Sequence, residues 1–323
     1  MPRLCSSLVL SLLIVSSASA VTMDWTPIGN PGNPTDPDSN SMFCGPNSNQ
    51  RCGSVAYTYN IGTYEVTNGQ YAEFLNAKAA SDPLGLYNIN MGDPSFGNSG
   101  GITRTGSSGS YSYSAIAGRE NMPVNYVSFY DAARFANWMN NGQGSGSTES
   151  GSYTLLGGTA TPSNGTTVTR NAGATIVLPL DEEWYKAAYY SPSGVYFDYP
   201  TATDTQPLCT APTATANRAN CNRAVDDVTP RGSYTGSASP YGTFDQGGNV
   251  WELNETILGT GRLMRGGGFT YFAADLAASH RMNTGTAGAI DIGFRLVMIP
   301  EPGTGVLVIT GLLGLAARRR AHA

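Results

Sequence analysis

The stretch YGTFDQGGNVWELNE, residues 241–255, holds three glycines, two Asn, a Trp and three carboxylates. It is too polar for a core strand and too rich in glycine for a helix, so it is the first candidate for a loop that does chemistry. Glu252 and Glu255 would form an acid–base pair only by converging across a substrate, and nothing else in the chain suggests a glycosidase. Trp251 reads as a core plug, with sugar stacking the alternative. His280 and His322 are too few for a three-histidine iron site or a two-histidine facial triad. His280 could act as a general base beside a carboxylate, but packing next to Arg281 is the simpler role. No G-x-S-x-G elbow occurs, which leaves a serine hydrolase unsupported. Four cysteines, Cys44, Cys52, Cys209 and Cys221, lie beyond the first apolar run, and no C-x-x-C occurs. An even count in an exported chain favours disulfides over a redox or metal role. Of the three pairings, proximity favours Cys44–Cys52 with Cys209–Cys221.

Export is read from the N-terminus. Arg3, the apolar run 8–15 and Ala18-Ser19-Ala20 have the order of a signal peptide, which assigns residues 1–20 to signal peptidase. The chain carries 18 basic against 23 acidic residues, and losing Arg3 makes it more acidic still. Such a surface repels phosphate backbones and argues against a nucleic-acid partner.

The elements that must position these residues have their own signals. Residues 21–54 are Pro/Asn/Gly-rich and irregular. Val55, Tyr57, Tyr59 and Ile61 alternate with smaller or polar residues, as in a strand with one buried face. Thr67 and Gln70 can form a capping box ahead of a helix striped by Tyr71, Phe74 and Leu75. Ser128 and Asp131 can cap a second helix that buries Phe129, Ala132, Ala136 and Met139 and stops at Asn141-Gly142. A third helix begins near Asp181, its acidic first turn suited to the positive helix end. Gly/Ser-rich stretches at 97–118 and 142–173 read as surface inserts. The result is one α+β domain with few helices, short strands and much irregular loop.

In chain order, YEVTNGQYAEFL, MPVNYVSFYDAARFANWM, LPLDEEWYKAA, GGNVWEL, RLMRGGGF and IGFRL resemble the sulfatase-modifying-factor family, the formylglycine-generating enzyme domain. The resemblance implies that family's fold, related to C-type lectins, over residues 55–298. It also implies where chemistry would sit. The family's enzymes hold copper on two cysteines just after an RGGS block. Here Arg265-Gly266-Gly267 is followed by residues 268–276 without a cysteine. Neither Thr nor Tyr replaces the soft thiolate that suits Cu(I), so no copper and no catalytic residue is expected. The alternative is an active oxidase that makes formylglycine from a cysteine of an exported protein, using a rearranged cysteine pair. The family's GNVWEW block holds a structural Ca2+. Carried across, its ligands would be the Gly248 and Val250 carbonyls and the Glu252 carboxylate, with Gly247 contributing. A second site would fall on Asn220 and Asp226 or Asp227. Oxygen ligands from an irregular, glycine-bearing backbone suit Ca2+. The competing reading pairs Glu252 with Arg265 or Arg295 in the core.

The C-terminus carries a second resemblance. Pro300-Glu301-Pro302, the apolar run 303–317 and Arg318-Arg319-Arg320 resemble the PEP-CTERM sorting signal, here residues 299–323. At roughly 1.5 Å per residue the run covers about 22 Å, short of a ~30 Å hydrocarbon core, as befits a transient membrane anchor. The resemblance implies cleavage near the triad by exosortase, after export across the inner membrane of a Gram-negative bacterium. The product would reside at the cell surface, outer envelope or exopolysaccharide matrix. The expected role is a non-catalytic binding or structural module for extracellular carbohydrate or a surface protein.

Overall fold

Side chains that begin and end the helices decide the frame. In the structure, a computed structural model describing residues 20–37, 52–95, 97–285 and 287–300, Thr67 and Gln70 close a capping box before α1 (Asn68–Lys78). Ser128 and Asp131 do the same before α2 (Phe129–Asn140). Past α2, Gly142 takes a φ of 77°, the left-handed conformation that glycine adopts without strain. α3 (Asp181–Tyr189) has no hydroxyl cap; the Glu183 carboxylate accepts the Leu180 N–H instead. Residues 1–19, Cys44 and Glu301 onward lie outside the described residues, so the signal peptide and most of the sorting signal do too.

The strands are short. In chain order they are β1 (Trp25–Ile28), β2 (Tyr59–Gly62), β3 (Ile102–Thr105), β4 (Ser112–Ala115), β5 (Ile176–Val177), β6 (Leu208–Cys209), β7 (Arg218–Ala219), β8 (Trp251–Leu258), β9 (Gly261–Arg265), β10 (Met282–Thr284), β11 (Ile292–Gly293) and β12 (Val297–Met298). One sheet has the order β1-β2-β12-β5, with Val297 of the last strand paired to both Ile61 and Val177. The other has the order β10-β9-β8-β11, and β11 runs parallel to β8. The chain that leaves the second sheet at β11 enters the first at β12. Phe294, on the way, packs its ring against Tyr71 of α1 and Phe135 of α2. The helices and both sheets thereby share one aromatic core. The described residues form a mixed α+β fold, as the sequence indicates.

Three expectations change. The alternation from Val55 is only partly a strand: pairing starts at Tyr59, and Tyr57 is 37% exposed. The polar stretch judged unfit for a core strand becomes one at its C-terminal half, with residues 251–255 of β8 all buried. Its polar side chains are tolerated because each carboxylate meets buried partners, which offsets the desolvation cost. The inserts are not loose excursions either. β3 and β4 form a hairpin on α1, where the Asn76 amide donates to Tyr113 O and accepts from Tyr113 N–H. The second insert is tied to α2 by Arg134, which reaches Glu149 and the carbonyls of Thr159 and Ala160.

Candidate functional site

Glu252 sits on β8 with its side chain fully buried. Arg295 grips both carboxylate oxygens, Nε to Oε2 at 2.5 Å and Nη2 to Oε1 at 2.7 Å. The Trp184 indole N–H of α3 donates to Oε2 at 2.8 Å. The same guanidinium donates to the carbonyls of Gly62 and Phe244, so one residue ties β2, β8 and the loop before β8. Arg265, the other candidate, is instead bound to Asp181 of α3. The geometry therefore realises the ion pair with Arg295.

The two carboxylates expected to serve Ca2+ are each held by an arginine. Asp227 accepts two bonds from Arg119, each 2.7 Å, so Glu252 and Asp227 are both bound bidentately by guanidinium groups, while Asp226 takes a single bond from Arg223. Burial pushes the Asp227 carboxyl up, but the Arg119 contact outweighs it and holds it below the usual range. A cation on either carboxylate would stand against a fixed positive charge, which makes the residues a poor fit for directly bound Ca2+. Asn220 and Asp227 do meet, through a 2.8 Å bond from the Asn220 amide to Asp227 O. Among the described residues no group of three His, Cys, Asp or Glu side chains is placed to hold a metal ion. At the centre of the loop, Asn249 does the positioning. At φ 60° it donates to Glu65 and accepts from Asn220 and from the Thr229 N–H.

Glu65 and Asp245 complete a buried acidic cluster around Arg295. Burial, then Asp245, raises the Glu65 carboxyl well above its ordinary range. Burial likewise raises Asp245 to about 6, with the Glu252 charge adding to it.

The segment after Arg265 carries Tyr271, in edge-to-face contact with Trp251 at 5.1 Å, and the fully buried Leu276. Trp251, 1% exposed, is the expected core plug. His280 stands 3.5 Å from Asp275 and 5.7 Å from the Trp251 ring, partly exposed. The Cys209–Cys221 disulfide is present, as proximity favoured, and Cys221 packs with Ala273 and Leu276 of this segment. Cys52 is also disulfide-bonded, to a residue outside the described ones.

A cavity of about 320 Å3 opens between the turn after α1, the start of α2, Ala160 and Thr161 of the second insert, and residues 287–288. Tyr87, Tyr126 and Tyr130 line it with Asn88, Ser128 and Asp131. Sequence reading singled out Ser128 and Asp131 only as caps and missed the tyrosines, which lie on separate segments with no shared period.

The sequence profile of the sulfatase-modifying factor enzyme 1-like domain matches residues 37–299. None of the curated proteins matches the chain. Among solved structures it is similar to Treponema denticola variable protein 1, at 19% identity and a TM-score of 0.56, over 88% of this chain and 98% of that one. It is similar also to CarF, at 20% identity and a TM-score of 0.53, over 87% of this chain and all of that one. At such identity these likenesses concern the fold. The profile match covers most of the chain, and the chain belongs to the sulfatase-modifying factor enzyme 1-like family.

Proposed function

We propose that this is a non-catalytic member of its family, exported and exosortase-processed, that binds a ligand at the cell surface or in an exopolysaccharide matrix. The observation that carries this reading is the segment after Arg265. The family resemblance puts copper thiolates there, whereas this chain has a cysteine-free run ending in the buried Leu276. The adjacent sulfurs of Cys209 and Cys221 are joined to each other, and a disulfide is not a thiolate ligand. Pinning of both inserts to α1 and α2 supports a binding role, because a preordered surface loses less entropy on complex formation. The test is copper-dependent oxygen uptake with a cysteine peptide, alongside a glycan array. No uptake together with array binding is expected; turnover abolished by Cys209→Ser would sink the reading.

One observation favours the runner-up oxidase. The disulfide packs directly on Ala273 and Leu276, so on reduction its sulfurs would lie beside the segment that carries the family's chemistry. Copper-dependent uptake only after reduction would select that alternative.

A further inference from the structure

We infer that the cavity at the start of α2 is a subsite for one unit of a neutral sugar. The inference rests on the binding-module reading above and names the ligand class. Three features carry it.

First, the cavity presents polar groups that the protein leaves unused. Asp131 is 8% exposed, and its Oδ2 accepts from the Ser128 N–H and hydroxyl. Its Oδ1 has no hydrogen-bond partner among the described residues. Asn88 spends its Oδ1 on the Asn90 N–H and leaves its amide donors open. An acceptor and a two-donor amide beside one small space match vicinal hydroxyls, which donate and accept at once.

Second, the walls are rigid. The Tyr87 and Tyr126 hydroxyls donate to Ile102 O and Asn98 O, which fixes both rings in place. Tyr126 holds a φ of 59°, a backbone conformation that costs energy in a non-glycine residue and recurs at ligand sites. Ile89, 71% exposed, stands at the rim as an apolar surface for the next unit of a chain. Volume and mixed lining suit a small ligand.

Third, charge selects against the alternatives. No Lys or Arg lines the cavity, so a phosphate, sulfate or uronate would meet only Asp131. A quaternary ammonium would suit aromatic faces and a carboxylate, but it has no use for the Asn88 amide.

The test is saturation-transfer NMR on the full-length chain, with neutral hexoses, N-acetylhexosamines and their disaccharides as probes, and tetramethylammonium as the cationic comparison. A sugar from this set is expected to bind in the millimolar range. Asp131→Asn can keep the cap through its carbonyl oxygen while turning the free edge from acceptor to donor; affinity should fall about tenfold or more. Ala160→Trp, an exposed substitution at the rim, should block binding while leaving the melting temperature unchanged. Sugar binding unaffected by both variants would overturn the subsite yet leave the binding-module reading standing. Tetramethylammonium binding without sugar binding, or no binding of any probe, would overturn the sugar assignment. Copper-dependent peptide oxidation would remove the module reading beneath it.

Discussion

Glu252 and Arg295 offer the sharpest perturbation. Both side chains are fully buried, and the carboxylate faces one guanidinium while Glu65 and Asp245 stand nearby. Breaking a buried pair by deleting one partner costs about 3–5 kcal/mol, because the other charge stays desolvated. The two deletions should not be equal. Glu252→Gln keeps the shape and leaves Arg295 with Asp245 as a compensating carboxylate, so the loss should fall near the lower end, about 3 kcal/mol. Arg295→Met removes the cation that Glu252, Glu65 and Asp245 share and also strands the carbonyls of Gly62 and Phe244, so its loss should reach about 5 kcal/mol. Urea titrations followed by circular dichroism would give both values. The reasoning fails if Glu252→Gln costs more than Arg295→Met or is silent. It also fails if the Glu252→Gln loss appears only with Ca2+ present, since the carboxylate would then serve a metal.

Further outcomes follow from other groups. Asp245 and Asp131 titrate near 6 in the folded protein, both raised chiefly by burial, against an ordinary carboxylate value of 3.8. The folded state thus holds protons that the unfolded chain releases, and stability falls as pH rises through that window. Going from pH 5 to pH 7 should lower it by about 1 kcal/mol for each group, a shift of a few degrees in Tm that Asp245→Asn reduces. Cys209→Ser opens a short loop with a sequence separation of 12 and should cost about 3 kcal/mol, read as a lower melting temperature than the parent's without reductant and a smaller further drop when reductant is added, the remainder coming from the Cys52 disulfide. Arg134→Met frees the second insert from three anchors; limited proteolysis should then cut within 142–173 well before the core unfolds, whereas the parent resists.

Much of the frame is local and therefore legible. Thr67, Ser128 and the acids after Leu180 start helices through contacts with residues three positions away, so spacing alone reveals them. Met139, assigned to the buried face of α2, is only partly buried, because burial depends on what packs against a turn and not on its period alone. The family blocks likewise identify the fold without coordinates.

What lay beyond the sequence is what separate segments do to one another. The sequence by itself determined that Glu252 needs a positive partner and that no cysteine follows Arg265. Only the tertiary structure decided that Arg295, forty-three residues away, takes the carboxylate while Arg265 goes to Asp181. The same is true of the cavity, where the turn after α1, the α2 start and the second insert bring Tyr87, Asn88, Tyr130 and Asp131 together. Long-range pairing leaves no period in the chain. It is chosen by the packing of the shared core, where a buried charge or hydroxyl must take whichever partner the fold brings within reach.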